Sequence, residues 1–303
     1  MRENRSDRDP IRDPVHLLAE SSLTLEPRPE DWLDHHRIDG VRVVPAAVTA
    51  VWMLEALRSA PSPDGTEPAR PRQGSGETGD APSPDISGRA PVAALSRIRW
   101  LRPLRCGDQG LTVRICVYRN ETGGGRRVEV TAPRLRGDGS AFGRAVYGAA
   151  LEDAGTTKPG LPRPLARLQT LSRLPSSFQG PYWQHLGLPL RLGKIGADAP
   201  LARADLLGPL GPPLTSTGHP PVDPRVLDAL FQLAGTWRQL SGEARGLPAA
   251  AAGLRVVWGC RSEGGFTLHV RGDSGSPSSL TLLAGSRSAL EVSGYEAGRR
   301  HSR

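Results

Sequence analysis

The sequence of 303 residues contains little cysteine. Its three cysteines, Cys106, Cys116 and Cys260, are an odd number at wide spacing, which fits neither a disulfide framework nor a zinc site. A reducing cytoplasm is the simplest compartment for a chain of this kind. We therefore expect a cytoplasmic protein without disulfides, bound metal or cofactor.

Long apolar runs are also missing. No stretch reaches the ~18 consecutive apolar residues that a membrane-spanning helix requires. Residues 1–14 are rich in charge and lack the apolar core of a secretory signal peptide. The sequence thus predicts no membrane partner and a mobile N-terminus over residues 1–14.

Lysine and aromatic residues are scarce. The 39 basic residues include only two lysines, Lys158 and Lys194, and aromatic residues make up 5% of the chain. A nucleic-acid-binding protein concentrates its positive charge on one face, with aromatic side chains for base stacking. Here the arginines are spread along the chain. A GC-rich coding bias explains the net charge of +8 better than a nucleic-acid function, which remains the less favoured alternative.

Glycine and proline are plentiful, at 36 and 29 residues, but stay below the roughly 25–30% that is typical of low-complexity chains. They are concentrated in two segments. Residues 60–90 contain almost no large apolar side chain, which predicts a disordered surface loop. Residues 156–164 predict a connector between an N-terminal half, 15–155, and a C-terminal half, 165–297, followed by a short tail.

The two halves share one order of elements. In each half a proline-marked loop precedes an apolar helix, and segments that alternate between apolar and polar residues follow it as antiparallel strands. The helices are predicted at residues 46–60 and 226–241, and Pro45 is expected at a helix start. A buried helix wrapped by a curved antiparallel sheet is a hot dog. The sequence therefore predicts an α+β double hot dog in one chain.

His36 is the first candidate site residue. It is followed by Gly40 and Pro45 and lies just before the first predicted helix. The free backbone N–H groups at a helix start, here those of Ala46 and Ala47, can hold a carbonyl oxygen on which negative charge builds. An ordinary histidine in a surface loop explains the same spacing equally well.

Asp228 is the second candidate, because a carboxylate inside an apolar helix is costly unless it is partnered or functional. Gln232 follows one helical turn later on the same face and can orient Asp228 through a hydrogen bond. The alternative interpretation is that Asp228 is a first-turn acid that stabilises the helix dipole.

The segment Gly180-Pro181-Tyr182-Trp183-Gln184 predicts a tight turn that places aromatic walls beside a pocket. An ordinary turn with aromatic core anchors is the alternative. Both interpretations remain open from the local sequence.

Together these residues resemble the dehydratase domains of polyketide synthases. His36-x-x-x-Gly40-x-x-x-x-Pro45 is similar to the N-terminal catalytic motif of that family, and Asp228-x-x-x-Gln232 is similar to its C-terminal motif. The family fold is a double hot dog, in agreement with the repeated order of elements.

Two further segments extend the resemblance. Residues 180–184 are similar to the family's Y-G-P-x-F-Q segment, and residues 99–104 match the strand that follows its first helix. The motifs occur in family order from about residue 15 to 295. Four positions depart from the pattern: Gln179 replaces a tyrosine, Trp183 a phenylalanine, His185 a glycine and Ala46 a glycine.

The resemblance implies a lyase that acts on a β-hydroxyacyl thioester bound to an acyl carrier protein. His36 would be the general base and Asp228 the general acid, its pKa raised by apolar surroundings. The N–H groups of Ala46 and Ala47 would hold the enolate oxygen. No other synthase domain is attached, so we expect action in trans for a partner polyketide synthase. Relatives pair as homodimers through the edge of the first hot dog.

Three alternatives remain open. The product could be a cyclic ether formed by capture of an internal hydroxyl, or the double bond could shift. The chain could instead be a scaffold that binds carrier proteins, which its arginines would suit. An enzyme requires His36 and Asp228 within hydrogen-bond or one-water reach of each other, and opposite orientations would exclude it.

Overall fold

The apolar segment after Pro45 forms a buried helix, α1 (Ala46–Ser59), as predicted. Nine of its 14 residues are buried, which its apolar character on every side requires. Pro45 lies one position earlier than a first helical residue: it is the N-cap, with φ −60° and ψ 147°. The fixed φ of proline suits both positions, so the sequence alone does not place this boundary.

The computed structural model describes most of the strands and both helices. The described residues are 15–26, 36–38, 40–61, 92–120, 125–135, 141–153, 192–198, 201–206, 221–242, 246–257, 266–273, 276–284 and 287–298. The predicted mobile N-terminus, the predicted connector and most of the predicted 60–90 loop lie outside these residues.

Helix α2 (Pro224–Leu240) begins two residues earlier than predicted. The strands, in chain order, are β1 (Val15–Leu25), β2 (Arg37–Ile38), β3 (Val41–Val44), β4 (Val92–Trp100), β5 (Leu104–Arg105), β6 (Leu111–Asn120), β7 (Arg126–Leu135), β8 (Ala141–Glu152), β9 (Leu192–Asp198), β10 (Leu201–Leu206), β11 (Leu247–Val257), β12 (Phe266–Asp273), β13 (Ser276–Ala284), β14 (Arg287–Ser293) and β15 (Glu296–Gly298).

Twelve strands form one antiparallel sheet. Its order is β1-β6-β7-β8-β4-β11-β14-β13-β12-β10-β9, and β15 pairs with β11. The two halves join where β4 pairs with β11, in a register that runs from Ala250↔Arg99 to Val257↔Val92. Strands β2, β3 and β5 form a separate small sheet beside the start of α1.

Each half of the sheet packs one face against one helix. Helix α1 contacts β4, β6, β7 and β8, while α2 contacts β9, β10, β12 and β13. The inward positions alternate as expected: Val113 and Val117 of β6 and Leu268 and Val270 of β12 are at most 1% exposed. The two helices also contact each other. This arrangement is the predicted α+β double hot dog.

Two predicted strands are interrupted. The predicted strand 97–105 is divided between two sheets. Strand β4 ends at Trp100, and Leu104–Arg105, which is β5, pairs with β3 in the small sheet. The segment 289–297 breaks at Gly294, whose φ of +56° is incompatible with a continuous strand. Alternation continues through both breaks, so it does not reveal them.

No helix in the described part of the chain has both the length and the apolar character needed to cross a membrane.

Candidate active site

A short hairpin places His36 before α1. Ile38 pairs with Val41 across the turn, where Gly40 adopts a φ of +78° that favours glycine. The backbone N–H of Val43 donates to the carbonyl oxygen of His36 at 2.7 Å. The backbone of His36 is therefore held by hydrogen bonds of the hairpin, whereas an ordinary surface-loop histidine lacks such support.

The start of α2 is capped by Asp223. Its carboxylate accepts a hydrogen bond from the backbone N–H of Arg225 at 2.9 Å and is also paired with the Arg225 guanidinium. Asp228 is the fifth residue of α2, and the first turn contains no acidic residue. The alternative interpretation of Asp228 as a first-turn, dipole-stabilising acid is therefore wrong.

Asp228 meets His36 across 192 residues of sequence. The Nε2 atom of His36 lies 3.1 Å from Oδ2 of Asp228, and the two side chains are 13% and 11% exposed. Gln232 donates from Nε2 to the same carboxylate oxygen at 2.5 Å. The i, i+4 contact inferred from the sequence is thus present, and it orients the carboxyl group toward the imidazole.

This arrangement can move protons. An imidazole and a carboxyl group in direct contact can exchange one proton, and their low exposure limits competition from water. Among the residues that the structure describes, no group of three or more histidine, cysteine or acidic residues could hold a metal ion. Cys106 and Cys116 are buried and free.

The first turn of α1 presents backbone donors. The N–H groups of Val48 and Thr49 donate to the carbonyl oxygen of Pro45. Within the described ranges, the N–H groups of Ala46 and Ala47 have no hydrogen-bond acceptor, and Ala47 is fully buried. The first N–H groups of any helix lack an intrahelical acceptor, and such groups can donate to an oxygen atom placed beside them.

Three aromatic residues beside the site were not among the site residues that the sequence analysis predicted. The indole N–H of Trp100 lies 3.1 Å from the Ala46 carbonyl oxygen and its ring meets Phe231 edge-to-face, with centroids 5.5 Å apart. Phe231 stacks on Tyr295 at 5.4 Å. Phe231 follows Asp228 by three residues, a helical spacing that could have revealed it. No local signal points to Trp100 or Tyr295.

Tyr295 lies within electrostatic reach of the site. Burial raises the pKa of Tyr295 well above its ordinary value; the Arg238 guanidinium opposes this effect and the Asp228 carboxylate adds to it. Tyr295 is therefore a neutral phenol at physiological pH. Tyr295 contacts Phe231 as the third ring of this aromatic group.

The predicted pocket segment is not part of this description. Gly180, Pro181, Tyr182, Trp183 and Gln184 all lie outside the described residues. Their assignment to the pocket stays a prediction.

Comparisons with known proteins give consistent results for the fold. No protein-family model and no curated protein sequence matches the chain. Among solved structures, the erythromycin dehydratase matches with a TM-score of 0.60 and 16% identity, over 94% of this chain and 98% of its own. A trans-AT polyketide synthase dehydratase domain from Brevibacillus brevis matches with a TM-score of 0.62 and 15% identity, over 91% and 92%.

A third similar structure is a bifunctional dehydratase-cyclase domain of ambruticin biosynthesis. Its TM-score is 0.61 at 15% identity, over 92% of this chain and 90% of its own. Coverage of both chains nearly from end to end means that the similarity includes both halves and the way they are joined. The chain thus has the double hot-dog fold of the polyketide synthase dehydratase domains.

Proposed function

We propose that this protein is a dehydratase of polyketide biosynthesis. It removes water from a β-hydroxyacyl thioester carried by an acyl carrier protein and yields the α,β-unsaturated thioester. The contact of 3.1 Å between His36 and Asp228 carries the proposal, because it joins a base and an acid from the two halves of the fold.

The reaction uses the two side chains in different protonation states. Neutral His36 takes the α proton of the substrate at Nε2, and the electron pair of the C–H bond moves toward the thioester carbonyl. The free N–H groups of Ala46 and Ala47 stabilise the negative charge on that oxygen. Protonated Asp228 gives its proton to the β-hydroxyl as the C–O bond breaks, and water leaves.

The same contact restores the starting state. After the reaction His36 carries one extra proton and Asp228 lacks one. Because their side chains reach each other directly, the proton returns from Nε2 to Oδ2 once the product leaves. Gln232 keeps Oδ2 in position for this transfer.

The proposal includes a separate carrier protein and a partner polyketide synthase. Acyl carrier proteins are acidic, and the net charge of +8 favours their approach by long-range attraction. The affinity for the carrier protein should accordingly fall as salt concentration rises.

The test is dehydration of a β-hydroxyacyl group on a purified carrier protein, followed by intact-protein mass spectrometry. His36→Ala and Asp228→Asn should each lower the rate by at least roughly 10²-fold, the lower bound for loss of a proton-transfer group. His16→Ala and Asp205→Asn, at exposed strand positions, are the matched controls. Full dehydration by either site variant would overturn the assignment.

Cyclisation after dehydration is the second candidate. The similarity to the ambruticin dehydratase-cyclase, equal in degree to that of the simple dehydratases, favours testing it. A substrate that carries an internal hydroxyl distinguishes the outcomes: the cyclic ether has the mass of the dehydrated product but lacks the absorbance of a conjugated enoyl thioester. A shifted double bond also lacks this absorbance, and NMR separates it from the ether. Carrier binding without any reaction would identify a scaffold.

A further inference from the structure

We propose that Trp100 is a positioning residue that joins the oxygen-binding start of α1 to the helix that carries Asp228. The inference rests on the proposed function and assigns a role to a side chain of the sheet. Trp100 ends β4, the strand that connects the two halves. Its side chain contacts both the first turn of α1, at the Ala46 carbonyl, and Phe231 on α2.

The indole N–H acts on one particular peptide group. It donates to the carbonyl oxygen of Ala46, which belongs to the peptide between Ala46 and Ala47. The N–H of that peptide is the buried Ala47 donor. A hydrogen bond accepted by a carbonyl polarises its peptide and strengthens the N–H on the other side. Trp100 therefore fixes and strengthens a donor for the developing negative charge.

Thr49 completes this hydrogen-bond group. Its hydroxyl donates to the same Ala46 carbonyl at 2.8 Å and accepts from the Trp100 indole at 3.1 Å. The indole lies opposite Gly148 of β8, where a Cβ atom would come within 4.0 Å of the Thr49 hydroxyl. The two acceptors at 3.1 Å, the Ala46 carbonyl and the Thr49 hydroxyl, together fix the direction of the indole N–H.

The indole ring also contacts α2, through Phe231. Its ring plane is inclined by 78° to that of Phe231, the favoured edge-to-face geometry of two aromatic rings. Tyr295 stacks on Phe231 at an angle of 22°. Because Phe231 is held by two rings and lies on the same helix face as Asp228, the rotation of α2 about its axis is set at the site.

A second tryptophan offers a matched control. Trp52 is 1% exposed on α1, and among the residues that the structure describes its indole N–H has no hydrogen-bond partner. A Trp-to-Phe change at position 52 removes an indole without removing a hydrogen bond. The same change at position 100 keeps a ring against Phe231 and removes the donor to Ala46.

The kinetic experiment measures kcat and KM for dehydration of a carrier-bound β-hydroxyacyl group by the full-length protein. Trp100→Phe should lower kcat roughly tenfold, less than the roughly 10²–10³-fold loss for removal of a direct oxyanion donor. KM should stay within about twofold and the pH profile should keep its shape, since the interaction acts on charge that develops in the transition state. Thr49→Val should act in the same direction, and Trp52→Phe should leave kcat unchanged.

NMR of 15N-alanine-labelled protein reports the coupling without reference to activity. The Ala47 amide resonance should move in Trp100→Phe and stay in place in Trp52→Phe. An unmoved Ala47 resonance overturns the inference, as does a kcat for Trp100→Phe equal to that of Trp52→Phe. If the resonance moves but the wild-type protein dehydrates no substrate, the proposed function fails while the coupling through Trp100 stands.

Discussion

Replacing Gln232 by leucine should separate activity from stability. The amide of Gln232 makes one buried hydrogen bond from Nε2 to Asp228 Oδ2 at 2.5 Å. Its other polar atom, Oε1, is buried and has no hydrogen-bond partner within the described part of the chain. Leucine has a similar volume and can make neither interaction. The variant therefore removes a favourable contact and an unfavourable one together.

The two effects on folding nearly cancel. Loss of a hydrogen bond to the neutral, protonated Asp228 carboxyl group costs about 0.5–1.5 kcal/mol, and a buried unpartnered carbonyl oxygen costs about 1–3 kcal/mol. The net change in the free energy of unfolding of Gln232→Leu should lie within about 1 kcal/mol of zero. For a chain of this size the melting temperature then shifts by at most about 4 °C.

The effect on activity should be much larger. Without the amide, the Asp228 carboxyl group can rotate away from His36, and a displacement of about 1 Å at a reacting group can cost about 10²-fold in rate. We expect kcat to fall roughly 10–100-fold. The measurements are steady-state dehydration of a carrier-bound substrate and thermal unfolding followed by circular dichroism.

Two further variants complete this test. Thr236→Val changes a residue that is 3% exposed one turn further along α2, and it should preserve both kcat and stability. Gln232→His returns an N–H donor and should recover part of the lost rate. Wild-type kcat in Gln232→Leu, or a loss of more than about 3 kcal/mol of stability, would refute the reasoning.

Two further predictions concern the fold outside the site. Gly294→Ala forces an L-residue to a φ of +56° and brings the new Cβ atom within 2.6 Å of the Cβ atom of Ala252. The variant should therefore lower the free energy of unfolding, measured by urea titration, by about 2 kcal/mol or more. An unchanged urea midpoint would contradict this. Burial, with Arg203 and Arg271 nearby, lowers the pKa of His269 to about 4. Protonation therefore favours the unfolded chain, whose histidine pKa is about 6.5, and stability is lost as the pH falls from 6.5 toward 4. His269→Phe should lose less stability over this range, and equal losses would argue against the assignment.

The sequence by itself determined the local features of this protein. Apolar residues on every side of 46–60 marked a buried helix, and alternation marked most strands. The Asp228–Gln232 contact followed from helical spacing, because residues four apart always share a face. The helix boundaries were less well determined, as with Pro45 at the N-cap, since the same residue suits adjacent positions.

Only the tertiary structure determined which residues from distant parts of the sequence contact each other. His36 and Asp228 are 192 residues apart, and no periodicity connects them; the pairing of β4 with β11 and the contact between the two helices bring them together. Trp100 was part of a recognised strand segment, yet its contacts with Ala46 and Phe231 depend on the same packing. Local pattern reports which face of an element is buried, whereas the partner on that face is set by long-range packing of the whole chain.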